Sequence, residues 1–159
     1  QFNRTRNRNH TKTPPMKPLL LACTLAVAIS TIGADKPNST KVTGTVLTPK
    51  TVKDYAGLTL ELRLYEYHPF IADKPADLVA KLTLKDYAHK AGKETKTKIT
   101  IGEAGKIMAG MSYYLTCFVI DAKGKRYLMG EKDGKRGLCK VLTGGNPNKV
   151  NLILRDLRK

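Results

Sequence analysis

The sequence has no tryptophan, only three phenylalanines and few acidic residues. Aspartate and glutamate total 13 against 29 lysines and arginines, so the formal net charge is +16. Lysine outnumbers arginine, and a lysine ammonium is a hydrated point charge without the two-pronged grip of a guanidinium on phosphate. Because tryptophan is absent and the charge is scattered along the chain, the composition does not favour a base-stacking platform. We therefore expect no sequence-specific nucleic-acid binding.

Long apolar runs are also scarce, and the only one covers residues 19–33. It is shorter than the roughly 20 residues that a membrane-spanning helix needs. Lys17 precedes the run and small residues close it at Ala34, which is the pattern of a secretory signal peptide. We predict a signal peptide over residues 16–34, cleaved between Ala34 and Asp35. The product would then be periplasmic or secreted, with no stable membrane span after cleavage.

Two other interpretations of the apolar run stay open. One is an uncleaved anchor, and the other is a lipoprotein in which Cys23 carries the lipid. A leucine-leucine-alanine triplet precedes Cys23 as in a lipoprotein signal, but further apolar residues follow, where such a signal should end. Residues 1–15 are basic and polar, and we expect a disordered leader or an over-extended gene start before Met16. A basic nucleic-acid arm is the alternative for that leader.

Residues 41–159, after a short linker at 35–40, have the pattern of one all-β domain. Apolar residues alternate with polar ones from Leu58 to Leu64, and again through Leu78, Ala80 and Leu82, which is the period of half-buried strands. No segment has a helical period. We predict an antiparallel β-sandwich, immunoglobulin-like or transthyretin-like, of seven or eight strands. The predicted strands cover residues 41–48, 57–67, 78–87, 95–101, 111–121, 126–130, 138–142 and 149–157.

Three details refine this prediction. The segment 111–121 is apolar on both faces and should be a central strand. Lys96 and Lys98 point outward from the segment 95–101, which suits an exposed strand. Asp133 and Gly134 supply a hairpin-turn signal.

Cys117 and Cys139 lie on the apolar sides of two predicted strands. Two cysteines in an oxidising compartment usually pair. We predict a disulfide between them, worth roughly 3 kcal/mol of stability in the chain-entropy model. The alternative is a pair of buried free thiols that pack as small apolar residues.

His68, His89 and Asp73 are the candidate metal ligands. The two histidines flank opposite ends of one predicted strand, so we expect them to be polar loop residues without a metal. Met108 and Met111 are spaced too weakly for a copper site, and core filling is the preferred interpretation. No motif pairs a nucleophile with a base. We therefore expect no catalytic residues, no cofactor and no enzyme activity.

Two basic turns are the candidate anion contacts. Their members are Lys123, Lys125 and Arg126 in the first turn and Lys132, Lys135 and Arg136 in the second. The predicted strand between the turns should place them at opposite ends of that strand. Solvated hairpin tips are the plainer interpretation, since exposed turns accommodate charge easily.

Several segments resemble one protein family. They are "LTLELRLYEY", "IADKPADLVAKLTL", "SYYLTCFVIDAKGK" and "NKVNLILRDL". Together they resemble a family of small bacterial envelope lipoproteins that includes the type III secretion lipoprotein chaperones (the YscW/YbaY type). The resemblance implies a periplasmic β-sandwich without catalytic machinery, and some members help an outer-membrane secretin assemble. This chain departs from the family in lacking a well-placed lipidation cysteine and in carrying Cys117 and Cys139.

The leading hypothesis is an exported, non-enzymatic β-sandwich protein of the bacterial envelope, with a binding or assembly-accessory role. Its partner would be an unknown envelope protein or an anionic polymer. The second hypothesis is a lysine-rich anion- or glycan-binding module. A metal-binding protein or a hydrolase ranks last.

Overall fold

The computed structural model describes residues 39–71 and 73–158. The predicted leader, most of the predicted linker, and the signal peptide with Cys23 and its cleavage site at Ala34 and Asp35 lie outside the described residues. Over the part of the chain that is described, no helix has the length and apolar character needed to cross a membrane.

Eight β-strands account for all the regular secondary structure within residues 39–71 and 73–158. They are β1 (Val42–Thr48), β2 (Tyr55–Tyr67), β3 (Asp77–His89), β4 (Thr95–Ile101), β5 (Ser112–Ile120), β6 (Arg126–Lys132), β7 (Cys139–Val141) and β8 (Lys149–Asp156). Each strand overlaps its predicted segment, because alternating side chains mark strands directly in the sequence. The predicted all-β class is confirmed.

The strands form one hydrogen-bonded sheet in the order β3-β2-β5-β6-β8-β1-β4, and β7 pairs with the first part of β5. The edge strands β3 and β4 are consecutive in sequence and approach each other, so the sheet is nearly closed and barrel-like. This strand order is compatible both with a flattened barrel and with a sandwich whose two sheets are joined along one side. It therefore confirms the predicted number of strands and does not distinguish a sandwich from a barrel. Among the described strands, six of the seven pairings are antiparallel, as predicted, and the pairing of β1 with β8 is the parallel exception.

The enclosed face of the sheet holds the core. Leu60, Leu62 and Leu64 on β2 are fully buried. On β5 the buried positions alternate in the same way from Tyr113 to Val119, and the outward positions are half-buried. β5 pairs with β2 on one side and with β6 and β7 on the other, so it is the central strand that the sequence predicts.

Leu78 breaks the alternation that the sequence predicts for β3. Leu64 pairs with Ala80, whereas Tyr65 pairs with Leu78, so Val79 is an extra residue in β3. A β-bulge of this kind places the residues on its two sides out of phase, so Leu78, just before the extra residue, points to the face opposite to that of Ala80. Leu78 is 53% exposed. The prediction that Leu78 lies on the core face is therefore wrong.

Side chains rather than a backbone ladder close the corner between β3 and β4. The Tyr87 hydroxyl oxygen lies 3.3 Å from Thr97 Oγ1, and His89 Nδ1 lies 3.0 Å from Thr95 Oγ1. The His89 ring stacks on Tyr55, with ring centroids 5.6 Å apart. Tyr87 and His89 are buried, so this corner is a polar cluster inside the fold.

The turn after β6 has the backbone that its sequence predicts. Asp133 and Gly134 have φ angles of 50° and 71°, and the Lys135 N–H donates a 2.9 Å hydrogen bond to the Lys132 carbonyl. Positive φ at both central residues is typical of a two-residue turn. The turn nevertheless feeds no β6–β7 hairpin, because β7 pairs with β5.

Gly44 lies where β1 meets β8, and a Cβ atom at this position would overlap the carbonyl oxygen of Val150. The Val150 carbonyl belongs to the backbone of β8 and cannot rotate away from the added methyl group as a side chain could. We therefore expect Gly44→Ala to lower the free energy of unfolding by about 2–3 kcal/mol. Urea unfolding measures the change. Thr45→Ala, on the outward face of the same strand, is the control and should stay within about 1 kcal/mol. Equal effects of the two substitutions would contradict the close β1–β8 approach.

Candidate interaction surface

The outer face of β2, β5 and β6 carries a groove of about 330 Å³. This cavity, the outer groove, is lined by Glu61, Arg63, Tyr65, Tyr114, Thr116, Phe118, Ile120, Gly124 and Arg126. All except Gly124 and Arg126 occupy outward positions of β2 and β5, whose inward positions fill the core. The alternation that builds the core therefore also builds the groove.

The register between β2 and β5 arranges the outward side chains in rows. The rows pair Glu61 with Phe118, Arg63 with Thr116, and Tyr65 with Tyr114. Residues directly opposite in an antiparallel pair have Cβ atoms about 4.5–5.5 Å apart. Each row is therefore a line of side chains in contact, running across the groove.

Glu61 is buried although it lies on the outward face, with a side chain only 8% exposed. Its carboxylate lies 2.7 Å from the Arg63 guanidinium and 2.6 Å from the Lys81 ammonium. Burial alone would raise the pKa of Glu61, but Lys81 and Arg63 outweigh burial and hold that pKa below its usual value. Arg63 also donates a 3.3 Å hydrogen bond to the Tyr65 hydroxyl. The charged Glu61 carboxylate thus holds the side chains of Arg63 and Lys81 in place, and their positive charges compensate its negative charge.

Three tyrosines form one end of the groove region. The rings of Tyr65 and Tyr114 stack with centroids 5.1 Å apart and an interplanar angle of 17°. Tyr67 meets Tyr114 edge-on at 5.8 Å. Burial, and after it the nearby Tyr65 and Tyr67, raise the pKa of Tyr114. The tyrosines are consequently held against each other in defined positions.

Arg126 lies over Phe118 near the other end of the groove, with the guanidinium carbon 4.1 Å from the ring centroid. An aromatic face holds a planar guanidinium in place and leaves its edge free to donate hydrogen bonds. Within residues 39–71 and 73–158, Arg126 has no carboxylate at ion-pair distance. The Arg126 guanidinium is therefore held in place by the Phe118 ring, and its N–H groups can donate hydrogen bonds to a ligand.

The outer groove has the composition of a protein-binding surface. The solvent face of an antiparallel sheet is usually polar. Here tyrosine, phenylalanine, isoleucine and arginine occupy most of the outward positions around the groove. Aromatic residues and arginine are enriched at protein interfaces and at their energetic hot spots. The arrangement can bind an apolar or acidic group of another molecule.

The six predicted anion contacts lie in two separate places. In the first turn, the backbone N–H groups of Lys123 and Lys125 donate hydrogen bonds to the Asp121 carboxylate. Arg126 extends from this turn into the outer groove. The second turn lines a different groove of about 290 Å³, formed by Lys132, Asp133, Lys135, Arg136, Gly137 and Leu138. The two turns lie at opposite ends of β6, so the six residues do not form one site. Anion binding by them stays a prediction.

Cys117 and Cys139 are buried free thiols in this structure. Cys139 pairs with Leu115, two residues from Cys117 on the same face, so the two cysteines are diagonal neighbours. Burial, followed by the nearby Cys139, raises the pKa of the Cys117 thiol to about 12. The predicted disulfide is not formed here and stays a prediction.

The candidate metal ligands do not come together. His68 follows β2 and His89 ends β3, so the two histidines lie at opposite ends of β3. The prediction that His89 is a loop residue is wrong, because it is a buried residue of β3 that contacts Thr95. Among the residues that the structure describes, no three histidine, cysteine, aspartate or glutamate side chains cluster as they would around a metal. The prediction that both methionines fill the core is wrong for Met108, which is 58% exposed, whereas Met111 packs partly against the core.

The sequence alone does not predict the outer groove, because the outward positions of half-buried strands are expected to face solvent. A signal is present: Tyr65 and Tyr67 are aromatic residues at positions where the alternation predicts polar ones. The pairing of Tyr65 with Tyr114 could not be predicted, since the two residues are far apart in the chain.

Comparisons with family models and with curated proteins gave no match. Among solved structures, the chain is similar to an alternative pilotin from the type II secretion system of Vibrio cholerae. The TM-score is 0.51 at 18% sequence identity, and the match covers 75% of this chain and 97% of the pilotin. At this identity the similarity shows a shared fold, and it fits the family resemblance of the sequence loosely.

Glu61→Gln should lower the free energy of unfolding by about 1–2 kcal/mol at pH 7, because Arg63 and Lys81 lose their shared counter-charge. The pKa of Glu61 is depressed in the folded chain, so its carboxylate stabilises the fold above the unfolded-state pKa. That contribution is lost as the pH falls through the folded-state pKa. Urea unfolding at a series of pH values should therefore show wild type and variant converging on acidification.

The matched control is Glu103→Gln, because Glu103 pairs with Lys41 at an exposed site. Exposed pairs contribute little, so this control should change the free energy of unfolding by less than about 1 kcal/mol. A wild-type-to-Glu61→Gln difference that stayed constant with pH would show that the charge of Glu61 is not what stabilises the sheet.

Proposed function

We propose that this protein is an exported, non-enzymatic accessory protein of the bacterial envelope that binds another envelope protein during assembly. The outer groove is the proposed contact surface. One observation carries the proposal: tyrosine, phenylalanine and arginine occupy outward positions of β2 and β5, where a solvent-exposed sheet face usually carries smaller polar side chains. Half-buried aromatic side chains beside a positioned guanidinium are typical of surfaces that a partner protein completes.

The fold supports an envelope-associated accessory role, because the similar solved structure is a secretion pilotin. The resemblance seen in the sequence implies the same class of protein, some of whose members help an outer-membrane secretin assemble. The two likenesses have different origins, one in strand segments of the sequence and one in the three-dimensional path of the chain.

An anion- or glycan-binding module is the second candidate function. It is favoured by the turn with Lys123 and Lys125, which adjoins the outer groove through Gly124 and Arg126. Binding to a highly charged polymer would weaken steeply with added salt, since many counterions are released. Binding to an envelope protein through the aromatic groove would weaken less, because apolar contact is not screened by salt.

In-cell photocrosslinking tests the proposed function. The chain is produced with p-benzoylphenylalanine in place of Thr116, whose side chain lines the outer groove. After irradiation, we expect a discrete protein adduct in the envelope fraction, with the protein itself recovered from the periplasm or the envelope.

The matched control places the same photocrosslinker at Thr43, a half-buried position on the outward face of β1. Thr43 lies outside the outer groove, so this variant should give no adduct of the same mass. The proposal fails if the Thr116 variant gives no adduct, if both variants give the same adduct, or if the protein stays in the cytosol.

Exported protein should carry the Cys117–Cys139 disulfide, because the two cysteines are diagonal neighbours on one sheet face and a local backbone movement brings such residues to bonding distance. Intact-mass analysis under denaturing conditions, before and after reduction, should show a gain of two hydrogen atoms on reduction. Cys139→Ser is the control and should show no intramolecular gain. Two free thiols in exported wild-type protein would contradict the prediction.

A further inference from the structure

We propose that the outer groove, together with Lys140 of the neighbouring β7, binds an extended acidic peptide segment, in which two carboxylates four residues apart contact Arg126 and Lys140. This inference rests on the proposed function and specifies the chemistry of the partner at the same surface.

The two cations stand at the two ends of the outward row of β5. Arg126 lies over Phe118, and Lys140 of β7 is directly opposite Tyr114 in the β5–β7 ladder. Phe118 and Tyr114 are four residues apart in a strand, which is about 13 Å. A peptide lying along β5 in an extended conformation has the same rise per residue. Its side chains at positions i and i+4 project to the same side and are as far apart as Phe118, which lies under the Arg126 guanidinium, and Tyr114, which is opposite Lys140.

The charges around the groove favour an acidic ligand. Arg63 and Lys81 share the single carboxylate of Glu61. Arg126 and Lys140 have no carboxylate within ion-pair distance over residues 39–71 and 73–158. The groove and its rim therefore carry an excess of positive charge, and a guanidinium held over a ring is suited to bidentate contact with a carboxylate.

Between the cations, the floor combines the rings of two aromatic residues with a threonine hydroxyl. The half-buried Tyr114 and Phe118 flank Thr116, and Ile120 extends the row. An apolar side chain at position i+2 of the peptide would pack on this floor. Nucleic acid suits the surface less well, because Tyr65 and Tyr114 already stack on each other and one face of each ring is covered.

The test selects ligands from a display library of random twelve-residue peptides on the immobilised full chain. We expect enrichment of sequences with two acidic residues four apart and an apolar residue between them. A fluorescein-labelled copy of the most enriched peptide then gives the dissociation constant by fluorescence polarisation. Arg126→Glu and Lys140→Glu should each weaken binding by about tenfold or more, and Arg126→Lys should weaken it less than Arg126→Glu.

Lys98→Glu makes the same charge change on the exposed face of β4, and it should leave binding within about twofold. Urea unfolding of each variant checks that the sheet is intact, and the conservative Arg126→Lys variant keeps the test decisive if Arg126→Glu is unstable. The inference is overturned if the selected peptides lack the acidic pair, or if Lys98→Glu weakens binding as much as Arg126→Glu. Competition by heparin or an oligothymidylate with the same Arg126 dependence would assign the groove to an anionic polymer instead.

The photocrosslink from position 116 separates this inference from the proposed function. An envelope adduct together with failed selection of acidic peptides removes only the inference about the ligand. Acidic peptides that bind in vitro without any envelope adduct remove the proposed function and leave the groove as a peptide-binding site.

Discussion

Each strand has to satisfy two environments at once, because the sheet curves until β3 and β4 nearly meet and one of its faces becomes enclosed. Side chains alternate along a strand, so every inward residue is bracketed by outward ones. On β2, the side chains of Leu60, Leu62 and Leu64 point into the core. The residues between them must therefore point to the outer face of the sheet. The outer groove is a product of that constraint: Glu61 and Arg63 face outward because the leucines face inward.

Placing functional side chains on the outward positions of central strands gives them a rigid support. The β2–β5 ladder holds the rows of the groove, and Glu61 adds an ion pair to each of its two cationic neighbours. Sites on regular strands are positioned more accurately than sites on loops. The second basic turn, around Lys135, follows the end of β6, and the Asp133 N–H donates a hydrogen bond to the Asn151 carbonyl of β8.

Strand positions were predictable because apolar alternation, apolar runs and turn residues are local properties of the sequence, and together they locate all eight segments. Neighbour relations were not, because they depend on contacts between distant parts of the chain, as the parallel pairing of β1 with β8 shows. The bulge at Val79 also escaped prediction, since nothing in the local pattern marks an extra residue, and it moved Leu78 from the core to the surface. Charge made the basic turns visible in the sequence, whereas the groove arises from the register that brings Tyr65 beside Tyr114.

The pairing of β1 with β8 has a consequence for the order in which the domain is made. β1 is the first described strand to leave the ribosome, and one of its two neighbours is the last. Contacts between such distant segments form slowly, so the growing polypeptide cannot complete its sheet while synthesis continues. Until β8 has been made, β1 therefore has one unpaired edge, and the enclosed face of the described sheet stays open.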